Sequence, residues 1–490
     1  MGTTLNYKKL VILVAGICAV GPMGAFAEDA KISQIENSLS SAVYLKGESL
    51  KQYNILERMK DHAVPGVSMA LIDQGKIQWT KSWGVKNLAT DDPVTAESLF
   101  QAASISKPVA AFGAMLLVDK GEITLDAPIN NYLKQWKVPD NEFTKAVPVT
   151  LRQLLSHTAG MTVHGFAGYG LDAPYPTILD VLNGQKPANS AAVVVDTLPR
   201  TIWRYSGGGY TVAQVAMEDV SGQSFENLMA ESVFKPTGMT HSTYKQPLPE
   251  DRRAEAVTAY RAGFEPVKRH FHAYPEMAAA GLWTTPTDLA KLALSVSQSF
   301  NGEQGALLSP DLSKEFLTLE MGDWGLGFNL HQEEGKVIGF SHGGANEGFR
   351  AFLVMLTDGR GAAIMTNSDT GAVLYRELLS AISSVYNWPL FEPSEKEWTA
   401  LNASTSAKFS GTYHLNMGED VIEVLVRQDG KGISVEVPNI LPSNQYFLSN
   451  DEEGQAHFFS LSGTKITFSE LNSEAPSISL FGQKAIKKIP

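Results

Sequence analysis

A serine and a lysine three residues apart are the first residues in this chain whose types and spacing could do chemistry. Ser104 and Lys107 stand at the start of a predicted helix, one turn apart, so both side chains face the same side. A lysine in a partly desolvated site has a lowered pKa and can take the serine proton. The N-terminal end of the helix adds backbone N–H groups that suit a developing oxyanion. The pattern predicts a serine nucleophile activated by a lysine.

The spacing alone does not identify the nucleophile, because an ordinary helix-capping serine gives the same pattern. The residues that follow Ser104, 105–120, are apolar on one face and end at Gly121, as expected of a helix with a C-terminal stop. The same spacing recurs in three other places, none of which opens a long amphipathic helix: Ser232/Lys235, Ser242/Lys245 and Ser462/Lys465. This difference favours Ser104.

The elements that must position this pair predict a mixed fold. Strands that alternate as a hairpin are predicted at 64–73 and 77–85, and later ones at 325–330, 336–341, 351–356 and 361–367. Helices are predicted at 289–297 and 373–386 besides the one behind Ser104. A sheet of early and late strands with helices between them in sequence is an α+β or three-layer arrangement.

A change in composition near residue 390 predicts a second domain. Residues 391–407 are rich in Pro, Ser and acidic side chains, and we expect them to link a main domain, 28–390, to a C-terminal domain, 408–490. Short alternating runs separated by turn residues fill the C-terminal domain. They are typical of a small all-β barrel or sandwich.

The N-terminus predicts a signal peptide over residues 1–27. Lys8 and Lys9 precede an apolar run, and Ala25-Phe26-Ala27 has the pattern of a signal peptidase site. The run is shorter than the ~20 residues that span a bilayer, so we expect a secreted, periplasmic protein with no integral membrane span after cleavage. A retained membrane anchor is the alternative. The single cysteine, Cys18, lies in the signal, so we expect no disulfide and no thiolate metal site in the mature chain.

The overall composition excludes further classes of function. Of the 490 residues, 43% are hydrophobic and 19% are charged, which is typical of a globular protein. The formal net charge is −12 and no basic block is present, so we expect no nucleic-acid partner.

His270 and His272 alternate like metal ligands, but no third ligand is apparent. We expect neither a metal nor another cofactor.

Four segments together resemble a known enzyme family. They are Ser104-Ile105-Ser106-Lys107, the segment 149–160, Tyr205-Ser206-Gly207 and His342-Gly343-Gly344. In this order and at these approximate separations, they resemble the serine β-lactamase/penicillin-binding-protein-like hydrolases, a group with class C β-lactamases, D-aminopeptidases, D-Ala-D-Ala carboxypeptidases and esterases. The likeness covers residues 55–386. It implies a β-lactamase/transpeptidase-like antiparallel sheet flanked by helices, a further helical region, and hydrolysis without a cofactor.

The resemblance implies a role for each polar side chain of these segments. Ser104 would be the acylated nucleophile and Lys107 its activating partner. Tyr205 matches the family tyrosine that relays a proton to the leaving group and later activates water. Positive neighbours would favour its phenolate. A core aromatic residue is the alternative for Tyr205.

The same resemblance places a strand beside the nucleophile. His342 and Gly344 belong to a triplet on that strand, where glycine permits close approach of the backbone to a substrate. The N–H of the next residue, Ala345, would complete the oxyanion hole together with that of Ser104. We expect His342 to face the substrate, and a structural histidine is the alternative.

Two positions depart from the family pattern and bear on the substrate. Gly207 stands where many members carry an asparagine, and His342 replaces a carboxylate-binding lysine and would be mostly neutral at pH 7. We therefore expect a small or short-peptide substrate without a free carboxylate: an ester, an amide or a D-amino-acid peptide. The alternatives are a penicillin-binding D,D-carboxypeptidase or β-lactamase proper and, outside the enzymes, a cell-envelope binding protein.

The C-terminal domain also has a family counterpart. Its first residues, Phe409-Ser410-Gly411-Thr412-Tyr413, resemble the start of the lipocalin-like β domains appended to some members. We expect this domain to shape substrate access or to mediate self-association into a homo-oligomer.

Overall fold

The structure is a computed structural model that describes residues 23–417, 420–438, 441–452, 454–473, 476–480 and 483–488. Most of the predicted signal peptide, residues 1–22, lies outside this part of the chain. The predicted cleavage site after Ala27 falls within a helix, Met23–Glu36. None of the helices in the described ranges has the length and apolar character needed to span a lipid bilayer.

The helices lie mostly in the first 390 residues. They are α1 (Met23–Glu36), α2 (Ile55–Asp61), α3 (Ser106–Asp119), α4 (Glu142–Ala146), α5 (Leu151–Leu155), α6 (Ile178–Asn183), α7 (Gly207–Ser221), α8 (Phe225–Met229), α9 (Lys235–Thr237), α10 (Met277–Ala280), α11 (Pro286–Phe300), α12 (Pro310–Phe316), α13 (Gly371–Tyr386) and α14 (Ala403–Ala407).

The strands form two groups along the chain. Those before residue 400 are β1 (Val43–Leu45), β2 (Gly66–Asp73), β3 (Lys76–Asn87), β4 (Asp92–Pro93), β5 (Phe100–Gln101), β6 (Tyr169–Gly170), β7 (Tyr260–Arg261), β8 (Glu265–Pro266), β9 (His272–Ala273), β10 (Trp283–Thr284), β11 (Asn329–Glu333), β12 (Lys336–Asn346), β13 (Phe349–Leu356), β14 (Gly361–Thr366) and β15 (Ser394–Lys396). The later ones are β16 (Gly411–Met417), β17 (Asp420–Asp429), β18 (Gly432–Val437), β19 (Leu441–Glu452), β20 (Gln455–Ser460), β21 (Lys465–Ser469), β22 (Ser477–Leu480) and β23 (Gln483–Lys487).

The main sheet joins early and late strands of the chain. Its order is β11-β12-β13-β14-β2-β3-β4, and its neighbouring strands are antiparallel. The early hairpin enters through β2, where Met69 lies opposite Ile364 of β14. The predicted α+β class is confirmed.

Both faces of this sheet are covered, because successive side chains along a strand point to opposite sides. In β2, Ala70 and Ile72 belong to the large core that contains residues of α3 and α11. Their neighbours Met69 and Leu71 belong to a second core with residues of α13. The sheet is therefore the middle of three layers.

Helix α3 lies inside the first core. Its residues from Ser106 to Leu117 are all buried. A helix that is buried all round needs apolar or paired residues at every position. The predicted helix at 105–120 is confirmed, but the α-helix proper begins at Ser106. Ser104 lies just before it, in a short 3₁₀ turn, Ala103–Ile105.

The C-terminal strands β16 to β23 form a closed eight-stranded barrel. Aromatic side chains such as Tyr413, Phe458 and Phe468 fill its interior. Residues 391–407 contain β15 and α14, and the boundaries of the linker stay a prediction. The barrel contacts the main part of the chain at β1, where the Val43 N–H donates to the Leu461 carbonyl at 3.0 Å.

Candidate active site

Ser104 and Lys107 are in direct contact. The Lys107 Nζ lies 3.1 Å from the Ser104 Oγ and donates to the Ala279 carbonyl oxygen at 2.8 Å. Ala279 lies in α10, which packs against both α3 and α7. Ala103, directly before the serine, has a φ of +51°. This left-handed conformation is uncommon for a residue with a Cβ, so the serine sits on a strained turn.

The Lys107 side chain is almost completely shielded from water, with 1% of its surface exposed. Burial disfavours the charged amine and lowers the pKa of Lys107 to about 7. A substantial fraction of this side chain is therefore an unprotonated amine at neutral pH. An amine 3.1 Å from a hydroxyl is within reach of its proton.

Tyr205 closes the other side of this pair. Its ring centre lies 4.9 Å from the Lys107 Nζ. Burial raises the pKa of Tyr205, and a hydrogen bond to the Ser104 side chain acts in the opposite direction. The sequence predicted that positive neighbours would favour the phenolate. The desolvation that lowers the pKa of Lys107 also reduces its positive charge, so Tyr205 stays a phenol.

His157 holds the backbone on both sides of Tyr205. Its carbonyl accepts from the Arg204 N–H at 2.9 Å, and its Nδ1 accepts from the Ser206 N–H at 3.1 Å. Its ring centre lies 4.3 Å from that of Tyr205. Burial lowers the pKa of His157, so the imidazole is neutral and can accept through Nδ1. His157 is therefore a structural hydrogen-bonding residue that fixes the backbone around Tyr205.

The strand edge beside Ser104 belongs to β12. β11 pairs with β12 only as far as Ser341, whereas β13 continues alongside it to Asn346. A Cβ built on Gly344 would lie 2.2 Å from the Ala102 carbonyl oxygen. Only glycine permits that approach, which brings the segment with Ala345 against the turn that carries Ser104.

His342 lies next to this edge but is buried, with 4% exposed. Its Nδ1 lies 2.6 Å from the Gly343 carbonyl oxygen, and its ring centre is 6.2 Å from that of Tyr205. Burial, with a smaller contribution from the charge of Lys107, lowers the pKa of His342 to about 3. The imidazole is therefore neutral and supplies no positive charge at this edge.

An aromatic wall completes the surroundings of Tyr205. Trp324 lies with its ring centre 5.8 Å from Tyr205 and 5.4 Å from His342, and it stacks on Trp203 at 5.3 Å. Trp203 is 37% exposed. The His164 ring contacts Tyr205 from another side at 4.9 Å. We call Trp203, Trp324 and His164 the aromatic wall.

The structure thus brings together all six residues, or their segments, that the sequence singled out: Ser104, Lys107, Tyr205, His342, Gly344 and Ala345. The sequence did not identify the Ala279 carbonyl, since a backbone oxygen has no signature of its own. It also missed the aromatic wall. The only signal for Trp203 was its place two residues before Tyr205, and Trp324 lies in an irregular segment with no periodicity.

The alternating histidines belong to different contacts. His270 Nδ1 lies 3.1 Å from the Thr258 hydroxyl, and His272 Nδ1 lies 3.1 Å from a Glu347 carboxylate oxygen. Over the described part of the chain, no three His, Cys, Asp or Glu side chains are grouped so that they could hold a metal ion.

Comparison with known proteins identifies a family that this chain matches. The sequence model of the family described as "Beta-lactamase" matches residues 53–386. Penicillin-binding protein 4 of Amycolatopsis lactamdurans is 28% identical over 361 residues, which cover 68% of this chain and 90% of that protein. Esterase EstB of Burkholderia gladioli is 24% identical over 200 residues, which cover 40% of this chain and 50% of that protein.

A solved structure shares the fold. The octameric penicillin-binding protein homologue from Pyrococcus abyssi superposes with a TM-score of 0.59 at 20% sequence identity, over 88% of this chain and 98% of that one.

The buried amine leads to a prediction about stability. Between pH about 7 and 10.5 the unfolded chain binds the Lys107 proton and the folded chain does not, so Lys107 makes the free energy of unfolding rise with pH in this window. Lys107→Met should remove this contribution and stabilise the protein at pH 7 and below. Urea unfolding over a pH series measures it.

Lys235→Met is the matched control, because the Lys235 side chain is 75% exposed. It should leave the pH dependence of the wild type unchanged. If Lys107→Met keeps the same rise of unfolding free energy with pH, the amine is not desolvated as described.

Proposed function

The chain belongs to the beta-lactamase family and is a serine hydrolase, and we propose that it works by acyl-enzyme formation at Ser104 on neutral esters, amides or D-amino-acid peptides. The contact that carries the proposal is the one between the Ser104 hydroxyl and the buried Lys107 amine, 3.1 Å apart. An exposed, permanently charged lysine could not accept a proton at neutral pH. This one has a pKa of about 7.

In the acylation step the unprotonated Lys107 takes the Ser104 proton as the serine oxygen attacks the substrate carbonyl carbon. The negative charge that forms on the carbonyl oxygen would be held by the backbone N–H groups of Ser104 and Ala345. When the intermediate collapses, the bond to the leaving group breaks and the leaving group takes a proton.

We propose that Tyr205 gives that proton. Because burial keeps it a phenol, it can donate to the leaving group and be reprotonated from the Lys107 ammonium. In deacylation, water replaces the leaving group, and the same groups move protons in the reverse order. Water then releases the acid product and restores the Ser104 hydroxyl.

The charges around the site support a substrate without a carboxylate. His342 stands where a family lysine would bind that group, and its pKa of about 3 leaves it neutral. The aromatic wall is partly exposed at Trp203 and offers apolar surface to a substrate. At Gly207 the Cβ of the family asparagine would lie 3.0 Å from the Phe166 ring, so that ring would have to shift to admit it.

A penicillin-binding D,D-carboxypeptidase is the second candidate, because a relative over most of this chain is named a penicillin-binding protein. A non-enzymatic binding protein would have no need for the buried amine, whose desolvation costs stability. The two enzyme candidates differ in what acylates Ser104.

The intact mass of the protein decides between them. After brief exposure to an activated short-chain ester, the wild type should turn over the ester or carry an acyl adduct, and Ser104→Ala should do neither. Penicillin should leave little or no adduct. The same mass spectrum tests the proposed removal of the signal peptide, because the cleaved chain would begin at Glu28.

A stable penicillin adduct that requires Ser104 would instead establish the carboxypeptidase candidate. No Ser104-dependent reaction with either reagent would refute the acyl-enzyme proposal.

The contact between Gly207 and Phe166 gives a test of substrate choice. Gly207→Asn alone should gain little acylation by penicillin, because the Phe166 ring lies 3.0 Å from the new Cβ and must shift before the side chain fits. Combined with Phe166→Ala, it should raise the rate of acylation by penicillin about tenfold, the effect of one new hydrogen bond of about 1.4 kcal/mol. Stopped-flow mass measurements compare the two variants and Phe166→Ala alone. Faster acylation of the single Gly207→Asn variant would contradict the steric account.

We include the barrel in the proposal as the domain that mediates self-association or shapes access to the site. The solved homologue is named as an octamer, and its match covers 88% of this chain. A chain that ends at Ser404 should therefore form assemblies with fewer subunits by light scattering, or show an altered KM for the ester. An unchanged number of subunits together with unchanged kinetics would refute both roles.

A further inference from the structure

Two buried carboxamides connect four chain segments behind the candidate site. Gln101 is 1% exposed and Asn346 is 5% exposed. The Asn346 Nδ2 donates to the Gln101 Oε1 at 2.8 Å and to the Ala280 carbonyl oxygen at 3.1 Å. The Gln101 Nε2 donates in turn to the His272 carbonyl oxygen at 2.7 Å. Each of these bonds satisfies a buried group that would otherwise be costly to leave unpaired.

Three of the segments joined by these amides are the ones that carry the chemistry. Gln101 lies in β5, three residues before Ser104. Ala280 follows Ala279, whose carbonyl oxygen accepts from Lys107. Asn346 directly follows Ala345 at the end of β12. The segments that carry Ser104, the carbonyl partner of Lys107 and the Ala345 N–H are therefore joined through the Asn346 side chain.

The end of β12 has a particular need for such a connection. Residues 342–346 have β13 on one side, but β11 no longer pairs with them on the other. A strand with one partner can shift more easily than one with two. The Asn346 amide supplies, toward β5 and α10, hydrogen bonds that a neighbouring strand would otherwise make.

We propose that Asn346, with Gln101, is a positioning residue for acylation: it fixes the Ala345 N–H relative to Ser104 and to the lysine contact on α10. This inference rests on the proposed function, because it assumes that Ser104 is acylated and that Ala345 helps hold the oxyanion. A donor that is misplaced by a fraction of an ångström stabilises the transition state less, while the ground state of the substrate is little affected.

The variant that tests this is Asn346→Asp. It keeps the shape of the side chain but places a carboxylate, which only accepts, against the Gln101 Oε1 and the Ala280 carbonyl. Loss of one oxyanion donor costs about 100–1,000-fold in rate, so a displaced donor should cost about 10–100-fold in the acylation rate. KM for a neutral ester should change less than about threefold, since that measure reports ground-state binding when chemistry is slow. Inhibition by a boronic acid, which forms a tetrahedral adduct, should weaken in proportion to the rate.

Asn367→Asp is the matched control. Asn367 is a fully buried asparagine at the end of β14 that holds backbone groups of the same sheet: its Oδ1 accepts from the Gly66 N–H at 2.7 Å, and its Nδ2 donates to the Val85 and Lys86 carbonyls. Both variants should lower the free energy of unfolding. Only Asn346→Asp should lower the acylation rate and the affinity for the boronic acid while leaving KM nearly unchanged.

Asn346→Ser covers the case in which the aspartate variant does not fold. Its hydroxyl can donate to one of the two acceptors, so it should lose less rate than Asn346→Asp and retain part of the boronic acid affinity. The inference is wrong if the Asn346 variants are acylated at the wild-type rate. It is also wrong if their acylation rate and KM change together, to the same extent as in Asn367→Asp.

The fate of Ser104 distinguishes this failure from failure of the proposed function. A fluorophosphonate probe followed by peptide mapping should label Ser104 in the wild type, more slowly in Asn346→Asp and at the wild-type rate in Asn367→Asp. Labelling at equal rates in all three refutes the role of Asn346 alone. Absence of label at Ser104 in the wild type refutes the proposed function and, with it, this inference.

Discussion

Lys107 carries a primary amine on a side chain that is 1% exposed, and much of the surrounding structure shields that amine from water. The amine has two polar contacts, the Ser104 hydroxyl and the Ala279 carbonyl. Neither is a carboxylate, so nothing in this pair restores the charged form that burial disfavours. Burying the amine lowers the stability of the protein, but it provides a base at neutral pH beside a hydroxyl. Burial of this kind requires that the helix bearing Lys107 lie inside the core.

The same shielding from water shifts the pKa values of the ionisable side chains around the amine. Tyr205, His157 and His342 are all shifted toward their neutral forms, because burial disfavours each charge and any charge on Lys107 further disfavours protonated imidazole. The site therefore holds a phenol, two neutral imidazoles and an amine that is substantially unprotonated at neutral pH. A fixed environment of this kind needs little rearrangement as charge develops. The backbone bonds of His157 on both sides of Tyr205 keep that environment in place.

Much of this was predictable from the sequence, and the remainder has identifiable physical reasons. The spacing of Ser104 and Lys107, the hairpin and the strands at 351–356 and 361–367 follow from local periodicity, which the fold preserves. The strand predicted at 325–330 is wrong in its bounds, since the structure has β11 at Asn329–Glu333. The predicted strand at 336–341 ends too early, since two consecutive glycines break the pattern. In the structure the strand runs on to Asn346, and Gly344 allows it to pass close to the serine turn. The neutral state of Tyr205 and the contact of Trp324 depend on burial among distant segments, which local pattern does not contain.

The way the barrel is attached has a consequence for how the chain reaches its folded state. β1, near the start of the described chain, pairs in parallel with β15, and its Val43 also bonds to Leu461 between two barrel strands. Closing that contact joins segments separated by more than three quarters of the sequence, and such long closures are slow because they must overcome a large loss of chain entropy. The main sheet and the barrel can each form from their own strands first. Their union, with β1 between them, is therefore expected to be a late event in folding, after the last strand of the barrel has been synthesised.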